Sequence, residues 1–100
     1  MEMLHNVTQG VYRVTLSGKF DFSDHKCFRE VIQKISDQDI KQIVLDMGQL
    51  DYIDSAALGM LLLAHDEANK YKKEIAIDAM AGQVKKTLEL ACFDEMFVMN

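Results

Sequence analysis

The chain reads as an α/β domain, a mixed sheet of four to five strands with about three crossover helices. Three observations predict this. Val11-Tyr12-Arg13-Val14-Thr15-Leu16 alternates, placing Tyr12, Val14 and Leu16 on one face, as a half-buried strand requires. Ile43-Val44-Leu45 and Glu74-Ile75-Ala76-Ile77-Asp78 are short apolar runs of the kind buried in the middle of a sheet. Stretches with apolar residues at helical spacing lie between and after these strands. A chain that alternates strand and helix builds parallel pairs joined by right-handed crossovers.

Taken in order, Met3 to Val7 is a weak edge strand and Thr8-Gln9-Gly10 a turn, so the first two strands form an antiparallel hairpin. Ser17-Gly18-Lys19-Phe20-Asp21-Phe22-Ser23 interrupts the strand pattern. Asp21 or Ser23 then offers a side-chain oxygen to the free amides of a first helix. Phe28, Val31, Ile32 and Ile35 form its apolar stripe, opposite Lys26, Arg29, Glu30, Gln33 and Lys34. It ends at Ser36-Asp37-Gln38-Asp39. After the strand at Ile43 comes a short acidic loop, Asp46 to Asp54, and a second helix from Ser55 to about Lys70. Its first two turns are apolar almost all round, with Leu58, Leu61 and Leu62 expected in the core. A third helix spans Ala81 to Ala91 with Val84, Leu88 and Ala91 inward, and Phe93 to Val98 is a terminal strand.

The 100 residues make one domain, 1–100, with no proline and no linker-like stretch. A net charge of -5 argues against nucleic acid as a partner, because phosphate contacts need clustered Lys and Arg. It argues equally against an anionic membrane surface. The longest apolar run, Ala56 to Ala64, is under half of the ~20 residues that span a bilayer. Cys27 and Cys92 lie far apart, and the first residues lack the pattern of a signal peptide. The simplest expectation is a reduced, cytoplasmic protein.

Chemistry concentrates around Ser55. It follows Asp54, starts a helix and precedes nine uncharged residues. Serine is among the best N-caps, and from the residues alone capping is the simplest role for it. A helix N-terminus also tolerates a phosphate, so the same hydroxyl suits phosphorylation. A nucleophilic role fits poorly. There is no Gly-x-Ser-x-Gly elbow, and His65 lies ten residues on, ~15 Å away along the helix. Asp46, Asp51 and Asp54, with Asp21 near the same sheet edge, read as turn formers and charges complementary to the helix dipole. Their spacing matches no calcium loop, and no glycine-rich phosphate cradle is present, so no metal and no cofactor is expected. Ala57, Met60 and Leu63 read as a partly exposed apolar patch beside the serine, suited to a protein interface.

At Ile53-Asp54-Ser55-Ala56-Ala57-Leu58-Gly59, preceded by Ile43-Val44-Leu45-Asp46, the chain resembles the STAS domains, and among them the bacterial anti-sigma-factor antagonists. Leu16-Ser17-Gly18-Lys19-Phe20-Asp21 is similar to the family's glycine-x-hydrophobe-aspartate turn. Leu88 to Phe97 is similar to its closing helix-to-strand segment. The resemblance implies a STAS-like fold and a switch with no catalysis of its own. The serine matching Ser55 is phosphorylated by an anti-sigma factor that is also a GHKL-type serine kinase, and a PP2C-type phosphatase removes the phosphate. The unphosphorylated form binds the anti-sigma factor and frees a sigma factor. Asp21 and Asp54 match acidic positions flanking that serine. With Ser55, Ala56, Ala57 and Met60 they make up the expected partner-binding set.

The chain departs from the family at Ala56-Ala57, where Ser or Thr followed by Gly is common, and at Cys92, where glycine is common. It also stops at Asn100, short of a last helix that many relatives carry. The alternative within binding modules is a STAS scaffold subunit of a stress-sensing or lipid-transport complex. A small enzyme using Ser55 is the third reading.

Overall fold

Gln9 and Gly10 both take positive φ, 51° and 82°, the backbone of a two-residue hairpin turn whose twist suits the flanking strands. The structure, a computed structural model, describes residues 1–99. That turn joins β1 (Glu2–Thr8) to β2 (Val11–Phe20) in antiparallel register, Thr8 opposite Val11 and Met3 opposite Leu16. A single 3-10 turn, Phe22–Asp24, leads into α1 (His25–Lys34). Next come β3 (Gln42–Ile53), α2 (Ser55–Lys70), β4 (Glu74–Asp78), α3 (Gly82–Leu90), a second 3-10 turn (Phe93–Glu95) and β5 (Val98–Met99). The sheet runs β1-β2-β3-β4-β5, with β2 to β5 parallel, so α1, α2 and α3 are its three crossovers.

Strand pleating sorts the side chains. Tyr12, Val14 and Leu16 of β2, Ile43 and Leu45 of β3, and Ile75 and Ile77 of β4 share the face covered by helices, and all are buried. Phe28 and Val31 of α1 and its C-cap Ile35 meet them, as do Ala57, Met60, Leu61, Ala64 and Ala68 of α2 and Val84 and Leu88 of α3. Three of the five inward residues of α2 are alanines, which lets this helix lie close to its neighbours. Val44, between Ile43 and Leu45, is also buried, although it points to the other face.

Two polar ties hold this frame. Lys73 donates from Nζ to the carbonyls of Ile35 and Asp37, at 2.5 and 2.6 Å, and so satisfies backbone acceptors just past the end of α1. Arg13, on the sheet face opposite the helices, reaches across two strands to Asp46 (2.8 Å) and Asp78 (3.1 Å). The backbone N–H of Gly48 and this guanidinium together hold the Asp46 carboxyl below the ordinary aspartate value.

Several expectations need correction. The Ser17–Phe20 stretch continues β2, and the Asp46–Asp54 stretch is strand as far as Ile53 instead of loop. Two register shifts absorb the mismatch, one between Thr15 and Ser17 and one between Gly18 and Lys19. The terminal strand begins only at Val98, Phe93–Glu95 being a 3-10 turn. Cys92 just before it takes φ 60°, the left-handed backbone that favours glycine. Ser55 is not the cap of α2. Asp54 is, with extended backbone and its Oδ1 accepting from the N–H of Ala57 at 2.9 Å, and Ser55 is the first helical residue.

Asp54→Ala is therefore expected to cost about 1 kcal/mol in urea unfolding, and Ser55→Ala less than about 0.5 kcal/mol. If Ser55→Ala costs as much as Asp54→Ala, the cap is assigned wrongly. A second expectation concerns acid. Asp46 has a folded pKa below its unfolded value, so its contribution is complete above the ordinary value of 3.8 and is lost as pH falls through the folded value. The difference in urea midpoint between wild type and Asp46→Asn is expected to be constant near neutral pH and to shrink below about pH 4. A difference independent of pH would contradict the ion-pair account.

Candidate functional site

Asp21 and Asp54 leave the sheet side by side because the strands before them are parallel neighbours. Phe20 pairs with Ile53, each aspartate is the next residue, and the N–H of Asp54 donates to the carbonyl of Phe20 at 3.3 Å. The site thus lies outside the carboxyl ends of parallel strands, where loops and helix N-termini converge. Each aspartate caps the helical turn that begins after it. Asp21 Oδ1 accepts from the N–H and hydroxyl of Ser23, at 2.9 and 2.5 Å, and the N–H of Asp21 donates to Asp24 Oδ2 at 2.9 Å. Those bonds from Ser23 hold the Asp21 carboxyl below its usual range, so it is charged at neutral pH.

Ser55 is exposed at the first position of α2, and among the described residues its hydroxyl has no hydrogen-bond partner. The capping carboxylate of Asp54 takes the amide of Ala57, leaving the earlier first-turn amides and the positive end of the helix dipole beside the serine. A group with negative charge attached at Ser55 would meet that dipole on one side and Asp54 on the other.

The structure brings together Asp21, Asp54, Ser55 and the half-buried Ala56, and separates them from two other expected contact residues. Ala57 is fully buried and Met60 is 4% exposed, both in the core. The reason is helical phase: a cap at Asp54 turns positions 57, 60, 61, 64 and 68 inward and leaves Ser55, Gly59, Leu62 and Leu63 outward. Leu62, expected in the core, is 37% exposed and Leu63 is 53% exposed. Met60 contributes only to the floor of a groove of about 370 Å³ between α1 and α2, with Phe28, Ile32 and Leu63.

Sequence reasoning missed Phe22 and Tyr52. Phe22 follows Asp21 and is 75% exposed, in a 3-10 turn that touches α2. Tyr52 lies two residues before Asp54 and is also exposed. An aromatic residue inside an apparent loop was the available signal. Phe22 lies in the turn that follows Asp21, Leu62 and Leu63 lie about two turns along α2 from Ser55, and Tyr52, paired with Lys19 and next to the buried Ile53, faces the other side of the sheet. Among the described residues no cluster of three or more His, Cys, Asp or Glu side chains could hold a metal ion. No helix there is long and apolar enough to cross a membrane.

The chain is similar to known proteins over nearly its whole length. A STAS-domain-containing protein of Pseudomonas aeruginosa is 32% identical over 87 residues, covering 87% of this chain and 85% of its own. BtrV of Bordetella bronchiseptica, provisionally named an anti-sigma factor antagonist, is 24% identical over 97% of this chain and 84% of its own. The anti-sigma factor antagonist SpoIIAA of Bacillus, in its unphosphorylated form, has the same fold. Its TM-score is 0.78 at 17% identity, over 99% of this chain and 87% of that one. The family model described as MlaB, STAS domain, matches residues 5–99. A family model that matches nearly the whole chain, together with a relative 32% identical over most of both chains, shows that the chain belongs to the STAS-domain family.

Proposed function

We propose that the protein is a phosphorylation-switched binding regulator whose acceptor is Ser55. In its unphosphorylated form it binds an anti-sigma factor that is also a GHKL-type serine kinase, and so frees a sigma factor. A PP2C-type phosphatase resets it. The observation that carries this reading is the exposed, unbonded hydroxyl at the first residue of α2, held beside a separate capping carboxylate. Because Asp54 does the capping, Ser55 is available to be modified with little cost to the fold. The similarity to SpoIIAA, which has been solved both with and without phosphate, supports the same assignment.

The switch is local electrostatics. A phosphate adds roughly -1.5 to -2 charge. The helix dipole offsets part of this, so the folded domain persists. In a complex, the added charge would be desolvated beside Asp54 and near Asp21, which is unfavourable without a cation from the partner. The contact surface consists of Asp21, Asp54, Ser55 and Ala56, with the exposed Phe22 beside them as an aromatic anchor. Catalysis belongs to the partner, and the protein acts in the cytoplasm.

A second reading is favoured by one observation, the naming of the family model for MlaB. Here the same surface docks the domain permanently as a scaffold subunit of a stress-sensing or lipid-transport complex. Recovery of an ABC transporter ATPase with the protein, independent of residue 55, would select it.

For the switch, Ser55→Ala is expected to retain the kinase in a pull-down while accepting no phosphate, and Ser55→Asp to bind at least tenfold more weakly by calorimetry. Normal binding by Ser55→Asp, together with no kinase-dependent mass increase at Ser55 in wild type, would refute the proposal.

A further inference from the structure

β3 is longer than the strand beside it. β4 pairs with it only from Gln42 to Asp46, so among the described residues the stretch from Met47 to Ile53 has β2 on one side and no strand on the other. α3 packs against β3 instead. At Ile53 the open strand slot is filled by one side chain. Gln83, in the first turn of α3, accepts from the N–H of Ile53 through Oε1 and donates to its carbonyl through Nε2, each at 3.1 Å. A primary amide has a donor and an acceptor at the spacing of a backbone peptide, so only one orientation of Gln83 satisfies both bonds. On the opposite side, Asp54 is tied to Phe20. The turn from strand to helix is thus clamped from both sides, one residue before the cap and two before Ser55.

We propose that Gln83 is the positioning residue of the Ser55 site, fixing where β3 ends and in what orientation α2 begins. The role rests on the reading of Ser55 as acceptor, and it links α3 to that site: a partner or modification that displaces the first turn of α3 would loosen the presentation of the serine. Neither α2 nor Asp54 makes this link, since both belong to the segment being held, and Asp21 is committed to the turn after β2. Gln83 is exposed yet bonded through both the oxygen and the nitrogen of its amide, so its carbon chain buries little that would otherwise explain it.

The test compares wild type, Gln83→Met and Gln83→Glu in the intact chain by amide hydrogen exchange and relaxation dispersion. Gln83→Met keeps the length and removes both bonds. It is expected to raise exchange at the Ile53 amide by at least tenfold and to bring microsecond–millisecond motion to residues 54–57, leaving Ile43 and Leu45 as protected as in wild type. Gln83→Glu is the rescue. Below the pKa of its carboxyl the acid again offers a donor and an acceptor, so the protection of Ile53 and the quiet of residues 54–57 are expected to return on acidification, with no such return in Gln83→Met. Unchanged dynamics in Gln83→Met, or equal loss of protection at Ile43, Leu45 and Ile53, would overturn the proposal. Phosphate occupancy of Ser55 by mass spectrometry is a separate readout. Its absence from wild type would defeat the acceptor reading, while the exchange data would still decide the role of Gln83.

Discussion

The parallel pairing of β2 with β3 is the constraint on which the rest of the molecule depends. It forces α1 to cross over the sheet, buries Phe20 and Ile53 side by side, and makes the two following residues, Asp21 and Asp54, leave the same edge. Each aspartate then has a mandatory task, because a helical turn starting at a sheet edge exposes amides that need an acceptor. Once the carboxylates are committed to Ser23 and Ala57, the hydroxyl of Ser55 is surplus to the fold. A functional group that stability does not use is one that regulation can change.

Much of this was legible in the sequence, for identifiable reasons. β2 and β4 show clear strand patterns, and the turn at Gln9-Gly10 has a sequence suited to left-handed backbone. The extension of β3 was not legible. Met47-Gly48-Gln49-Leu50-Asp51-Tyr52 mixes glycine, acid and apolar residues without a period, because register shifts against β2 and a one-sided partner relax the alternation. Asp54 and Ser55 are both good caps, and choosing between them is a shift of one residue, or about 100° of helical phase. That shift moves Ala57 and Met60 from surface to core. A helix whose first turns are nearly all apolar has no polar stripe from which the phase could be read. Gln83 left no trace, since an isolated glutamine on a helix resembles any solvated side chain.

α2 serves two environments at once. Its inner side uses Ala57, Ala64 and Ala68 to approach the sheet, while Leu62 and Leu63 remain in solvent on its outer side. Water-facing leucines on the helix that begins at Ser55 are a cost in solubility. The carboxylates of Asp21 and Asp54 lie at the same edge as that serine, a setting compatible with a neutral hydroxyl and opposed to a further anion.

The hairpin turn at Gln9-Gly10 has a consequence for how the surface comes into being. β1 and β2 can pair across two residues of loop, whereas β2 and β3 meet only after the whole of α1 has been traversed. Short loops close quickly and distant pairings late. The Ser55 edge draws on the ends of β2 and β3 and on the start of α3, so it is complete only when the slowest contacts have formed. Any partner that recognised this edge would therefore also inspect folding, since nascent, damaged or partly unfolded copies would not present it.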